Sequence, residues 1–284
     1  ESELVYVLGD VRQESSLSDV FDRYRPDYVF HAAAYKHVPL IEQFPHEGMN
    51  TNINGTWHTA HLAGKYGVEK FVLVSTDKAI NPTSMMGATK RIAEMVVQSL
   101  QESYAGTEFI ITRFGNVLGS NGSVVPLFKQ QIENGGPVTI THPDMQRYFM
   151  TIPEAAQLVV EAGLMGAGGE VFIFDMGEPV KIYDLAMNMI RLSGMVPGVD
   201  IPIEFVGVRP GEKLYEDLFA DQEQVEQTHH KKIMIGKVKQ YRFSEMEAVV
   251  RQLNEVVRVD AGMRLQELVP VSYTHLRAHE TGRN

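Results

Sequence analysis

Apolar residues along the chain come in short runs separated by longer stretches in which they recur every three or four positions, a pattern of strands alternating with helices. The runs Leu4–Leu8, Tyr28–His31, Phe71–Val74, Glu108–Phe114 and Glu170–Asp175 read as strands, with a short one at Val138–Ile140. Helical spacing covers Ser16–Tyr24, Asn50–Tyr66, Ser84–Tyr104, Val124–Asn134, Ile182–Ser193 and a last stretch from Ser244 to about Val259. Thr151 with Glu154 and Ser244 with Glu247 have the spacing of capping boxes. Strands this apolar, each followed by a helix, predict an α/β doubly wound parallel sheet covered on both faces, with Glu170–Asp175 as its last strand.

The densest chemistry lies in Phe71–Met95. The strand stops at Ser75-Thr76-Asp77-Lys78, so a hydroxyl, a carboxylate and an amine arrive together at its carboxyl end, where ligands of open α/β sheets bind. Asn81-Pro82 turns the chain, and in the helix that follows Met86 and Lys90 are four apart and share a face. Further on, Arg113-Phe114-Gly115-Asn116-Val117 opens a loop whose free backbone N–H groups suit a phosphate or an amide. In Val208-Arg209-Pro210-Gly211-Glu212-Lys213, arginine offers the planar donor fork that fits a diphosphate. The mid-helix Gly55 implies close packing against the sheet, and Asn52 is a structural or cofactor-side polar group. His58 and His61, three apart, read as a solvated face, and His37 as a structural group.

Composition narrows the function classes. With 284 residues, 44% hydrophobic and 22% charged, the chain can bury a sizeable core. Its net charge of -10 and the lack of a Lys/Arg cluster argue against nucleic acid or an anionic membrane as the partner. The absence of cysteine excludes disulfide and thiol chemistry and fits a reducing, cytoplasmic compartment. No apolar run reaches transmembrane length, and Glu1-Ser2-Glu3 is not a signal peptide, so the chain reads as soluble.

A hydroxyl at a strand end followed by Y-x-x-x-K resembles the extended short-chain dehydrogenase/reductases, with Met86 in the tyrosine position. Thr76-Asp77-Lys78 with NPTSMMGATK is more narrowly similar to the CapD-like nucleotide-sugar 4,6-dehydratases of capsule and O-antigen biosynthesis. FHAAAYKHVPLIE, Asn52-Ile53-Asn54-Gly55-Thr56 and the Arg209 motif carry the same resemblance, which spans about residues 4–268.

The resemblance implies NAD+ as cofactor and UDP-N-acetylglucosamine as substrate. Hydride would leave sugar carbon 4, the carbon 5 proton would become acidic, water would leave from carbon 6, and the hydride would return there. Asp10 and Val11 would meet the adenine, Ala32, Ala33 and Ala34 would floor the cofactor, Lys90 would hold its ribose, and Val117 would lie beside the nicotinamide. Thr76 would bind the carbon 4 hydroxyl, Asp77 would be the acid for the departing hydroxyl, and Lys78 the base for carbon 5. Lys36, Asn116, Arg147, Arg209 and Glu212 would bind the UDP-sugar, Arg209 at the diphosphate and Glu212 at the nucleotide ribose. No metal is implied. Methionine at 86 leaves the base for the carbon 4 hydroxyl open and favours retention at carbon 5. A sugar 4-epimerase, which needs no pair for water loss, and a catalytically dead nucleotide-sugar module are the alternatives. A homo-oligomer is the expected assembly, and a parent protein tethered to the inner membrane is compatible with the resemblance.

Both ends depart from the family pattern. The Gly9-Asp10-Val11-Arg12 string follows the third strand of the family's sheet, so the first two strands and their glycine-rich phosphate turn are expected to be missing, with loss of NAD affinity and activity from this chain. Residues 271–284, beginning VSYTHLRAHET, match an in-frame sequencing adaptor and are set aside as a non-native tail, which makes the His275, His279 and Glu280 grouping accidental. The expected division, within a domain of residues 1–270, is a truncated dinucleotide core (about 1–115, 151–178 and 241–259) and a substrate lobe (about 116–150 and 179–240).

Overall fold

Burial on both faces decides which runs become central strands. A computed structural model describes residues 3–219 and 224–259. Its elements run α1 (Glu14–Tyr24), β1 (Tyr28–His31), α2 (Val38–Gln43), α3 (Pro45–Gly48), a π-helical turn (Met49–Asn54), α4 (Gly55–Lys65), β2 (Lys70–Val74), α5 (Met85–Ser103) and β3 (Glu108–Arg113). Then come β4 (Asn116–Val117), α6 (Val124–Glu133), β5 (Val138–Ile140), β6 (Gln146–Arg147), β7 (Phe149–Met150), α7 (Ile152–Met165) and β8 (Val171–Phe174). β9 (Val180–Lys181), α8 (Ile182–Leu192), β10 (Ile203–Phe205), β11 (Gln224–Gln227), β12 (Ile233–Lys237) and α9 (Phe243–Val259) complete the chain.

The main sheet has the order β1-β2-β3-β8-β12-β11, parallel through β8 and antiparallel beyond it. Alternation along β2 sends Phe71 and Leu73 into one core with α4, α5 and α9, and Val72 into the other with α7. A third cluster joins α6 and α8 through Phe128, Ile132, Ala186 and Ile190, with Val138 and Ile140 of β5. β5 pairs with β10 in a small parallel sheet apart from the main one. Among the described residues no helix is long and apolar enough to cross a membrane.

Five expectations change. Leu4–Leu8 forms no strand: all five side chains are exposed, Leu8 fully, because an apolar run can pair only if a ladder partner lies alongside. The outer edge of β1, with Tyr28 and Phe30 exposed, has no strand beside it among the described residues. Nor is Glu170–Asp175 the last strand, since β12 and then the polar β11 extend the sheet. Gly55 packs not on the sheet but on the loop before α1, where an added Cβ would lie 2.7 Å from Val11 Cγ2. The histidines of α4 are half-buried: His61 stacks on Trp57 and bonds Tyr104 Oη at 3.0 Å, while the Val11 carbonyl lies 3.3 Å from His58 Nδ1. Finally, α9 starts at Phe243, with the Arg242 amide donating to Glu245 Oε2 at 3.4 Å, so Ser244 lies within the helix. The tail at 271–284, and the end of the adjoining stretch from 260, lie outside the described residues.

Candidate active site

The site begins where β2 runs out of partners. The Ser75 amide still donates to Thr112 O at 2.7 Å and that of Asp77 to Phe114 O at 3.1 Å, after which a single 3₁₀ turn, Asp77–Ala79, swings the chain toward α5. Ser84 caps α5 by accepting from the Gly87 amide at 3.1 Å, and Glu42 accepts from the Met85 amide at 2.6 Å. Gly87 is needed here: a Cβ would sit 2.3 Å from the Lys78 carbonyl oxygen, so only glycine lets the first turn of α5 lie against the strand end.

That junction brings the reactive groups together. Thr76 Oγ1 donates to Asp77 Oδ1 at 2.9 Å, and Lys78 Nζ donates to the same oxygen at 2.9 Å and to Asn116 Oδ1 at 3.2 Å. The Asp77 side chain is 1% exposed, and its second oxygen, Oδ2, is buried without a hydrogen-bond partner. Burial pulls the Lys78 ammonium down, but the carboxylates of Asp77 and Glu216 outweigh it and raise Lys78 above the ordinary lysine value. Lys90, one turn beyond Met86 on α5, donates from Nζ to Val74 O at 2.8 Å. Burial brings Lys90 down to about 8, with the charge of Glu94 opposing.

Because its folded value lies below the ordinary one near 10.5, Lys90 subtracts from stability below pH 8, and that loss is relieved as pH rises from about 8 to 10.5. Lys90→Met is therefore expected to raise the thermal midpoint at pH 7, by an amount equivalent to about 3 kcal/mol at most. Unchanged or lowered thermal stability, read by calorimetry, would contradict this burial argument.

Below the strand end lies a buried charge cluster that sequence reading missed. Glu94 accepts from Arg113 Nε (2.9 Å) and Nη2 (2.8 Å), Arg91 Nη1 (3.0 Å) and Ser75 Oγ (2.7 Å). Nearby His31 is held neutral, its value brought to about 3 by burial and then by Lys90. Thr56 Oγ1 donates to Asn52 O, so the 3.0 Å contact to His31 Nε2 is one in which the ring nitrogen carries the proton. Asn52 itself is structural, clasping the Tyr35 backbone through its N–H and carbonyl and donating to Thr89.

A cleft of about 440 Å³ opens above these groups. Ala32, Ala34, Lys36, Thr76, Lys78, Met86, Lys90, Asn116, Val117, Arg147, Arg209 and Glu212 all line it, and Asp77 lies just beneath. Lys36 reaches across to Ser120 Oγ at 3.1 Å, and burial followed by the charge of Lys78 lowers it. Arg209 is exposed, its backbone amide tied to Glu212 Oε2 at 3.4 Å. Arg147 lines the cleft with its guanidinium turned to backbone: Nη1 donates to Gln146 O at 2.6 Å and Nη2 to Lys213 O at 2.8 Å. Ala33, Asp10 and Val11 do not line the cleft; Asp10 is clasped by Arg12 at 2.6 Å, whose hydrogen bonds bring its carboxyl to about 2. Glu216, the other residue missed, is 3% exposed and stands 3.5 Å from Lys78 Nζ. No spacing in the sequence pairs it with Lys78; only the fold does.

For a dinucleotide, the residues present fit the nicotinamide-ribose end. Small side chains at Ala32 and Ala34, with Gly115 beside them, leave room next to the Lys90 ammonium and the Thr76 hydroxyl. Among the described residues no glycine-rich turn stands beside β1 to receive a pyrophosphate.

A mainly parallel sheet with a Thr-Asp-Lys strand end and a lysine one turn into the next helix defines an extended short-chain dehydrogenase/reductase. The chain belongs to the polysaccharide biosynthesis protein family, whose pattern matches residues 1–238. It is 57% identical to the capsular polysaccharide biosynthesis protein CapD of Staphylococcus aureus over 88% of this chain and 42% of that protein. To the probable polysaccharide biosynthesis protein EpsC of Bacillus subtilis it is 49% identical, over 91% of this chain and 43% of that one. The chain thus spans less than half the length of these two relatives. A UDP-glucose 4-epimerase of Rickettsia typhi is 36% identical over 78% of this chain and 64% of its own.

Among solved structures, Pen from Bacillus thuringiensis superposes with a TM-score of 0.75 at 34% identity, covering 88% of this chain and 81% of that one. DesIV, a dTDP-glucose 4,6-dehydratase from Streptomyces venezuelae with NAD bound, gives 0.67 at 22% identity, covering 88% and 79%, and so shares the fold. The relatives are nucleotide-sugar dehydratase and epimerase enzymes and capsule biosynthesis proteins.

Proposed function

We propose that the protein carrying this chain is a UDP-N-acetylhexosamine 4,6-dehydratase, acting on UDP-N-acetylglucosamine with retention at carbon 5. One observation carries this reading: a buried carboxyl at the strand end with one oxygen on a lysine ammonium and the other free of partners. An epimerase has no use for such a pair, whereas water loss needs an acid for the leaving hydroxyl and a base for the carbon 5 proton. NAD held against Ala32, Ala34, Lys90 and Val117 would supply the hydride acceptor.

The chain's own groups then do three things. Arg209 and Glu212 anchor the nucleotide, and Lys36 and Asn116 border the sugar. Thr76 orients the carbon 4 hydroxyl. The third is the proton cycle, which starts from an ionic pair because the neighbouring carboxylates favour a charged Lys78. When the sugar displaces water, the proton moves from Lys78 Nζ to Asp77 across the 2.9 Å contact, leaving an amine and a carboxylic acid. The amine takes the carbon 5 proton and the acid protonates the carbon 6 hydroxyl as it departs as water, which restores the ionic pair. The ammonium then returns a proton to carbon 5 as carbon 6 is reduced, and the proton given up by the carbon 4 hydroxyl recharges the lysine, so that two protons leave the sugar and two are delivered.

The test is to incubate the full-length enzyme with UDP-N-acetylglucosamine and follow the 4-keto-6-deoxy product by NMR. Formation of the 4-epimer without water loss would replace this reading with epimerisation. Arg209→Ala is expected to raise KM by roughly 10- to 100-fold with kcat nearly kept, since a charge-assisted pair of about 1.5–3 kcal/mol on the diphosphate is lost equally from ground and transition states. A fall in kcat at constant KM, in steady-state kinetics, would move Arg209 from anchoring to chemistry.

A further inference from the structure

Where it leaves the cleft wall, Lys78 meets groups that fix both its place and its charge. Nζ donates to Asp77 Oδ1 at 2.9 Å and to Asn116 Oδ1 at 3.2 Å, and forms an ion pair with Glu216, whose Oε1 lies 3.5 Å away. The last of these comes from a different part of the chain than the strand end. Glu216 Oε1 also lies 3.6 Å from Arg147 Nε, and Glu216 Oε2 is buried with no hydrogen-bond partner. Across the cleft, Lys36 is close enough for the charge of Lys78 to lower it. Two carboxylates, Asp77 and Glu216, one neighbouring cation, Arg147, and a second cation across the cleft, Lys36, therefore make up the ionisable surroundings of Lys78.

The loop that carries Glu216 is firmly anchored. Lys213 Nζ donates to Ile80 O at 2.8 Å, Thr83 Oγ1 to Gly211 O at 3.1 Å, and the Gln146 amide to Leu214 O at 3.2 Å. Arg209 and Glu212 lie on the same loop. Such anchoring sets a carboxylate at a fixed point beside Lys78, where ion pairing favours the charged form.

We propose that Glu216 is a positioning residue of the proton-transfer pair: its carboxylate holds the Lys78 ammonium against Asp77 and keeps it protonated until a sugar enters. The role builds on the reading of Lys78 as the carbon 5 base. Exchange of Glu216 for glutamine keeps the size of the side chain and removes its charge, leaving Asp77 as the one carboxylate that opposes burial and the charge of Arg147 at Lys78.

The experiment is competitive acetylation with acetic anhydride across pH, on the chain without sugar, read by mass spectrometry of proteolytic peptides. Lys70, bonded to Glu108 and to the Gly166 carbonyl at the far end of β2, serves as an internal gauge of folding. In Glu216→Gln the midpoint of Lys78 labelling is expected to fall by about one pH unit, and Glu216→Asp should lie between the two. An unchanged Lys78 midpoint with Lys70 still protected would overturn the proposal. Should Lys70 lose protection in the glutamine variant, the aspartate variant decides: a lowered midpoint supports the role and an unchanged one rejects it. In the full-length enzyme the acidic limb of the dehydration rate should shift in the same direction. Failure of that enzyme to dehydrate UDP-N-acetylglucosamine would remove the proposed reaction and leave the labelling result standing.

Discussion

Asp77→Asn is expected to lower dehydration of the UDP-sugar by roughly 10²- to 10⁴-fold, the range in which a positioned general acid acts, while nucleotide affinity stays within about twofold. The exchange is close to isosteric. An amide oxygen can still accept from Thr76 Oγ1 and Lys78 Nζ, both 2.9 Å from Oδ1, so the local geometry has its partners. What is lost is a group able to take a proton from Lys78 and pass it on. The amide nitrogen falls where Oδ2 now lies, buried and without a partner, 3.2 Å from the position of a Cβ on Gly115. Calorimetry with UDP and single-turnover product NMR separate the two effects. Near-normal dehydration would place the acid elsewhere, and a loss of UDP affinity equal to the loss of rate would make Asp77 a binding group.

Glu94→Gln carries the largest expected cost in stability, about 3–5 kcal/mol at pH 7, because it leaves two buried guanidinium groups without their shared charge. Glu94 and Arg113 are each 1% exposed. Burial alone would raise the Glu94 carboxyl, yet Arg113 and Arg91, with the Ser75 hydroxyl, bring it down to about 2. The sign follows from that depression: the contribution is complete above the ordinary glutamate value near 4.5 and is lost as pH falls toward 2. Urea titrations should therefore show the gap between wild type and Glu94→Gln narrowing as the pH is lowered. A difference under ~1 kcal/mol at neutral pH would mean that the cluster is solvated enough to do without the carboxylate. Ser75 is the residue before Thr76, so this buried cluster also fixes the direction in which the strand delivers its hydroxyl.

How far the sequence discloses these features depends on how local they are. Ser75 through Lys90 assemble within one strand, one turn and one helix, so their convergence follows from periodicity, a turn signal and helical spacing. Glu216 and Arg113 reach the same place only through the sheet order and the docking of the 209–216 loop, and no local pattern records either. The same reasoning covers the strands. Leu4–Leu8 has every strand preference yet stays unpaired, while the polar Gln224–Gln227 pairs because β12 offers it a ladder. Preference says that a segment can pair; it does not say with what. Arg147 shows a related limit, because an arginine beside a cleft binds whatever acceptors stand nearest, here the carbonyls of residues 146 and 213.

The bare outer edge of β1 bears on how the material behaves in the tube. With no strand beside it among the described residues, and with the rings of Tyr28 and Phe30 exposed, this edge is a template on which an extended apolar segment can lay down a further strand. Leu4–Leu8 of a neighbouring molecule has that character, and among the described residues no strand pairs with it. Turbidity and loss of soluble protein should accordingly climb with concentration, and a lysine introduced at Phe30 or Val7 should hold them back without touching the cleft.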